Sequence, residues 1–432
     1  MDKINIFWHR RDLRYHDNVG LYYALDTDYP VLPVFIFDTN ILDDLSDKTD
    51  ARVTFIHDQL KALDEVYRNN GSGLKVCYGT PEDVYMRLSE EYEIVGVYTN
   101  RDYEPYAKKR DATIAKYLKG KGIGFYSFKD QVIFEQGEIL TDQEQPYKVF
   151  TPYKNKWLEK WSNLELESYN SEQKLQALWS ADVDPLMSLE DIGFQRSTIA
   201  IPEPSVSENL LKEYSEKRDI PGENGTSRLG IHFRFGTISI RQHAKRASEL
   251  SDVWLNELIW REFYMMILGH YPEVVDHAFK SKYEQIPWTN NESHFQKWCE
   301  GKTGYPIVDA GMRELNATGY MHNRVRMVVA SFLTKHLLID WRWGERYFAE
   351  KLLDFELSSN NGGWQWAAGT GTDAQPYFRV FNPYSQQEKF DPQFKYIKKW
   401  VPEFDTAEYP NPIVPHKEAR QRAIDTYKEA LS

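Results

Sequence analysis

The first 130 residues alternate short β-branched and aromatic runs with amphipathic stretches, and that alternation leaves very few folds open. Residues 4–8, 31–37, 74–78, 94–98 and 124–128 read as strands, being compact and rich in Val, Ile, Phe and Tyr. Between them, residues 51–67, 81–91 and 105–119 have helical spacing, and Pro81 and Pro105 suit a first helical turn. Strand–helix alternation of this kind predicts a doubly wound, Rossmann-like parallel sheet with helices on both faces. The stretch contains no GxGxxG and no GxxxxGK[ST], so neither a dinucleotide fingerprint nor a P-loop is present.

The pattern breaks down over residues 131–205. Residues 180–217 hold eight acids against three bases, with prolines at 185, 202 and 204, which reads as a long surface linker. From 206 onward the spacing is helical, with amphipathic segments at 254–268, 306–318, 324–338 and 344–353. The expected organisation is an α/β domain (1–130), a linker (131–205) and a larger all-α domain (206–432). A chain of 432 residues is too long for one ordinary core, so two domains suit its length.

Composition excludes several classes. No apolar run approaches the roughly 20 residues of a membrane helix. The N-terminus reads as a strand running into His9, Arg10 and Arg11 rather than as a signal peptide. Cys77 and Cys299 are too few for a disulfide framework or a zinc cluster. A cytoplasmic monomer without a structural metal is expected. The net charge of −12 means that any nucleic-acid site must be a local basic patch on an acidic protein. Aromatic residues make up 15% of the chain, with 13 Trp and 28 Tyr. Most belong in cores, but the total leaves rings to spare for stacking or electron transfer.

The unusual chemistry lies between residues 226 and 384. Glu257, Trp260, Arg261 and Tyr264 are spaced by three and four, on one side of a helix. A carboxylate, an indole and a guanidinium on one stripe suit the wall of a polar pocket. A surface Glu–Arg pair beside a core Trp fits the spacing equally well. His322, Asn323, Arg324 and Arg326 pose the same choice, since Asn323 could simply cap a helix. No second His or Cys sits at ligand spacing from His322, which argues against a metal. Asn360-Asn361-Gly362-Gly363 reads as a turn, followed closely by two indoles, Trp364 and Trp366.

Together these segments resemble the photolyase/cryptochrome family, most closely the class I enzymes that repair cyclobutane pyrimidine dimers. The resemblance runs from Phe7-Trp8-His9-Arg10-Arg11-Asp12-Leu13-Arg14 through Val149-Phe150-Thr151-Pro152-Tyr153 and nearly all of 226–400. It ends at Pro412-Ile413-Val414-Pro415-His416-Lys417-Glu418-Ala419-Arg420. It implies an N-terminal antenna domain and a helical domain that holds FAD. By matching position, Thr226, Ser227 and Leu229 hold the FAD phosphates at a loop before a helix. Gly230 stands where the family usually has a further serine. The resemblance also places Arg261 on the cofactor, Arg326 and Asp354 as an ion pair beside the isoalloxazine, and Asn360 facing flavin N5.

A dimer must leave the duplex stack to reach a buried flavin, so the resemblance implies a base-flipping pocket. Trp260 and Trp366 match its two walls, and Met327 matches the residue that packs on the dimer. Glu257 and Asn323 match the groups that hydrogen-bond the base, and Arg324 a phosphate contact. Arg379, Lys389, Lys395, Lys398 and Lys399 would supply the positive patch on single- or double-stranded DNA. Residues 377–400 carry five bases against two acids. Trp364, Trp341 and Trp288 match a relay that reduces the flavin. The implied reaction is electron transfer from excited FADH⁻ to the flipped-out dimer, with no nucleophile or metal.

Within the family, Met321-His322-Asn323-Arg324 follows the dimer-repair pattern rather than the histidine pair of the (6-4) enzymes. Asn360 stands where plant-type cryptochromes carry an aspartate. The competing function is a blue-light sensor without repair activity. The family's folate-binding pattern expects an asparagine–glutamate pair where this chain reads Glu104-Pro105-Tyr106-Ala107. A second, light-harvesting chromophore could therefore be a deazaflavin, FMN or folate, and the residues do not choose among them.

Overall fold

A computed structural model describes residues 3–180 and 183–432. Residues 1–2 of the N-terminal strand reading and 181–182 of the linker reading lie outside the described residues. The chain divides into two compact units, each assembled from discontinuous segments.

The first unit comprises Met1–Glu135, Ser162–Pro204 and Leu229–Lys245. Its five strands are β1 (Lys3–His9), β2 (Val31–Asp38), β3 (Lys75–Gly79), β4 (Glu93–Asn100) and β5 (Gly124–Phe128). They form one parallel sheet of order β3-β2-β1-β4-β5. Helices α1 (Val19–Leu25), α2 (Ala51–Asn69), α3 (Pro81–Glu91) and α4 (Pro105–Gly120) alternate with the strands. Pro81 and Pro105 stand at the first turns of α3 and α4, where a missing N–H costs nothing. Every residue of β2 is buried, as a central parallel strand covered on both faces requires. Alternate side chains serve different cores. Ile4, Ile6 and Trp8 join one with Val84 and Leu118, whereas Phe7, Val31 and Phe35 join another with Leu60 and Tyr67.

A buried ionic network ties the 229–245 segment to the sheet. Asp130 accepts from Arg14 at 2.7 Å and from Arg241 at 2.9 Å, and Arg241 also reaches Asp17. Desolvation raises the Asp130 carboxyl, but the two guanidiniums overcome it and hold the group below the usual carboxylate range.

The second unit comprises Gln136–Trp161, Ser205–Arg228 and Arg246–Ser432. The helices that matter below are α5 (Phe150–Trp161), α6 (Asp252–His270), α7 (Pro306–Thr318), α8 (Asn323–Ser331), α9 (Trp341–Lys351), α10 (Leu357–Ala368) and α11 (His416–Leu431). Their core gathers Trp298, Tyr305, Ile307, Val325, Phe332, Trp341, Phe348 and Trp364. Helix α5 lies within the stretch where the sequence shows no regular pattern.

Two local expectations are corrected. Asn360-Asn361-Gly362-Gly363 is not a turn but the middle of α10. Its helical form is held from outside: Asn361 and Gln365, one turn apart, both donate to the Val274 carbonyl, at 2.8 and 2.9 Å. A Cβ at Gly362 would lie 2.2 Å from the Tyr264 ring, so glycine here lets α6 approach the α10 backbone. Secondly, Asn323 does not cap α8. The cap is His322, whose Nδ1 accepts from the Arg324 N–H at 3.1 Å.

Candidate functional site

The second unit contains a cavity of about 430 Å³ walled by α6, α8, α9 and α10. Most of the residues singled out from the sequence converge on it: Glu257, Trp260, Arg261, Asn323, Arg324, Arg326, Met327, Asp354, Asn360, Trp364 and Trp366. Thr226, Ser227, Leu229, Trp288 and Trp341 are not among its lining residues.

Helix α6 supplies one wall, because a 3-and-4 spacing aims Glu257, Trp260, Arg261 and Tyr264 the same way. Glu257 and Arg261 take separate partners. Glu257 accepts from Arg218 at 2.5 Å, and Arg261 lies 3.7 Å from Glu356. Burial pushes the Glu257 carboxyl up, Arg218 pulls it back, and the group stays above the usual carboxylate range. Trp260 stacks flat on Phe150 of α5, with ring centroids 3.6 Å apart and 7° between planes. This fixes the indole as a rigid wall.

Helix α8 presents Asn323, Arg324, Arg326 and Met327 along one turn. Arg326 is fixed twice: its Nε donates to the Met321 carbonyl at 2.7 Å, and its Nη2 to Asp354 at 2.9 Å. Arg324 donates to Asp219 at 2.9 Å, and its guanidinium sits 4.3 Å from the centre of the Phe390 ring. Arg379, Lys389, Lys395, Lys398 and Lys399 are all exposed.

Helix α10 contributes Asn360, Trp364 and Trp366. Asn360 commits its NH₂ to the Glu345 carboxylate at 2.8 Å and the Glu345 carbonyl at 3.0 Å. Its amide oxygen has no hydrogen-bond partner among the described residues, and Asn360 lines the cavity. Burial raises the Glu345 carboxyl above its ordinary range, and the Asn360 bond opposes that rise. Trp364 is buried against Trp298 and Phe348, at centroid distances of 6.0 and 5.0 Å, and its indole N–H finds no partner among the described residues. A buried donor at a cavity wall, an unused amide oxygen and a fixed guanidinium–carboxylate pair suit a planar polar ring system such as that of FAD.

The remaining predicted residues lie elsewhere. Thr226 shares a hydrogen bond with Tyr320 at 2.9 Å, and Ser227 follows it. Leu229 precedes the short Gly230–Phe235 helix of the first unit. Trp341 is buried at the start of α9, and Trp288 packs edge-on against Tyr427, 5.9 Å away. The sequence reading missed Arg218, Asp219, Phe150 as a stacking partner, Glu345 and Trp298. None has a local signal, since each acts through a partner far along the chain.

Comparisons with known proteins agree along the whole length. Residues 5–173 match the DNA photolyase family model, and residues 254–408 match the FAD binding domain of DNA photolyase. A deoxyribodipyrimidine photo-lyase of Halobacterium salinarum is 39% identical over 99% of both chains. Solved structures are similar to this chain as well, among them the following. A class III photolyase from Agrobacterium tumefaciens has a TM-score of 0.87 at 32% identity, covering 100% of this chain and 98% of its own. A photolyase from Sulfolobus tokodaii, described with two FAD molecules, has a TM-score of 0.79 at 36% identity, covering 99% and 100%. A Synechocystis cryptochrome has a TM-score of 0.87 at 26% identity, covering 99% of each. Among the described residues no helix is long and apolar enough to cross a membrane.

Proposed function

The chain belongs to the DNA photolyase family, FAD-carrying lyases of DNA, and on that footing we propose that its substrate is the cyclobutane pyrimidine dimer. One observation carries this reading. Arg326, Asp354, Asn360 and Trp364, which we assign to the flavin, line the same cavity as Glu257, Trp260, Asn323, Met327 and Trp366, which we assign to the bases. Bound and reduced, FAD would supply on excitation the electron that opens the dimer's ring and that is then returned to the cofactor, leaving no net redox change.

The chain's own residues do the rest. Trp260, backed by Phe150, and Trp366 offer apolar planes for two adjacent, linked bases of one strand taken out of the stack. Glu257 accepts from a base N–H, and Asn323, exposed at the cavity wall, offers both a donor and an acceptor. Arg324 and the exposed bases from Arg379 to Lys399 meet phosphate and position the strand. Trp364, Trp341 and Trp288 serve flavin reduction rather than repair. A deazaflavin, FMN, folate or second FAD in the first unit would act as an antenna. The protein works as a cytoplasmic monomer.

The test is blue-light repair of a thymine-dimer oligonucleotide by enzyme carrying reduced FAD. Restored thymines are expected, and Glu257→Ala should lower the repair yield more than the DNA affinity, because phosphate contacts dominate binding. Flavin that is excited and reoxidised while the dimer stays intact would overturn the reading and favour a light sensor without repair activity.

A further inference from the structure

Two consecutive residues that neither motif nor periodicity marks, Arg218 and Asp219, pair with two charged residues that line the cavity, Glu257 and Arg324. Arg218 ends the short Tyr214–Lys217 helix and donates to Glu257 of α6 at 2.5 Å. Asp219 accepts from Arg324 of α8 at 2.9 Å. The Asp219 carboxylate is about as exposed as a surface group, whereas Arg324 is largely covered, with 19% of its side chain accessible. Phe390 closes one face of that guanidinium, the Met327 sulfur lies 3.8 Å from Nη1, and its Nε has no partner among the described residues. The Arg324 donors are therefore few, pre-oriented, and partly occupied by an anion belonging to the chain itself.

A carboxylate on a guanidinium occupies the place that a phosphate would take, with the same geometry and charge sign. We propose that Asp219 is a built-in phosphate competitor. It keeps Arg324 engaged until a base inserts against Glu257, and it thereby sharpens discrimination between damaged and undamaged DNA. This rests on the reading that Glu257 meets the base and Arg324 the phosphate. The coupling is covalent. A base that takes Glu257 must reorganise the Arg218 ion pair, and the same movement of the chain withdraws the adjacent Asp219 from Arg324. Undamaged duplex inserts nothing, so Arg324 stays occupied and that phosphate contact is not made.

The experiment measures dissociation constants of the FAD-loaded protein for dimer-containing and undamaged oligonucleotides of one sequence. The variants are Asp219→Asn, Arg324→Gln, the double variant, and Glu216→Gln as an exposed control with the same charge change. Asp219→Asn should tighten undamaged DNA about fivefold, the upper range for one partly exposed ion pair, and dimer DNA about twofold or less. In the Arg324→Gln background the Asp219→Asn effect should fall to that of Glu216→Gln. The inference is overturned if Asp219→Asn merely matches Glu216→Gln, if its effect survives loss of Arg324, or if both DNAs gain equally. Should Arg324→Gln alone leave both affinities unchanged, the phosphate role of Arg324 fails first, and that outcome is distinguishable. Asp219→Ser repeats the test if the asparagine variant loses FAD or stability.

Discussion

Replacing Asn360 by Asp turns a hydrogen bond into a proton-sharing problem, and the size of the effect can be worked from the contact with Glu345. The Asn360 amide nitrogen lies 2.8 Å from the Glu345 carboxylate. Two ionised carboxylates at that separation repel by about 6 kcal/mol at an effective dielectric constant of about 20. A repulsion of that size means that the pair retains one proton at neutral pH and titrates in two coupled steps. Burial already raises Glu345, and the variant removes the amide donor that opposes the rise. While the proton is held, the protonated carboxyl imitates the amide and the cavity wall keeps its charge. Once it leaves, one extra negative charge faces the flavin.

The FAD reduction potential of Asn360→Asp should therefore track wild type at low pH and fall below it as pH rises. Stability follows the same sign. The second proton's affinity is raised in the folded state above its unfolded carboxyl value. Its contribution is fully present below the unfolded pKa and is lost as pH rises through the folded one. Anaerobic redox titrations and chemical denaturation from about pH 6 to about pH 9 measure both. Adding Glu345→Gln leaves a single carboxylate with no partner to share its proton, so the double variant should lose the pH-dependent fall in potential over this range. Potentials and stability slopes identical to wild type at every pH would refute the placement of Asn360 between Glu345 and the flavin.

Other changes read other parts of the site. A Cβ at Gly344 would lie 2.1 Å from the Trp364 ring and 2.6 Å from Leu333, so Gly344→Ala should cost about 1–3 kcal/mol by thermal unfolding and lower FAD content. Unchanged melting and FAD content would show that the α9–α10 contact is looser than this. Trp364→Phe should abolish photoreduction of oxidised FAD while sparing repair by chemically reduced enzyme; equal loss of both would remove Trp364 from the relay. Burial, with smaller contributions from His416 and Arg422, depresses the His336 imidazole to about 3. The unfolded value is about 6.5, so the neutral ring's contribution is complete above that pH and is lost as pH falls toward the folded value. Denaturation midpoints should drop between about pH 6.5 and about pH 4.5, and His336→Phe should flatten that drop.

What the sequence determined by itself is local. Apolar alternation and two N-terminal prolines are enough to draw the parallel sheet and helices α3 and α4, because strand and helix periods are set by neighbouring residues. The α6 wall was legible for the same reason, since Glu257, Trp260, Arg261 and Tyr264 share a face by helical spacing alone. Spacing could not choose between a surface ion pair and a pocket wall. That was decided by Arg218, 39 residues away in the chain, which takes Glu257, and by Phe150, 110 residues away, which backs Trp260. Asn360-Asn361-Gly362-Gly363 shows the reverse case. Its local preference is a turn, yet amide bonds to Val274 and the press of Tyr264 on Gly362 make it helix. Tertiary contacts win there because each joins groups that no local pattern relates, and only the folded chain brings them within hydrogen-bonding or van der Waals reach.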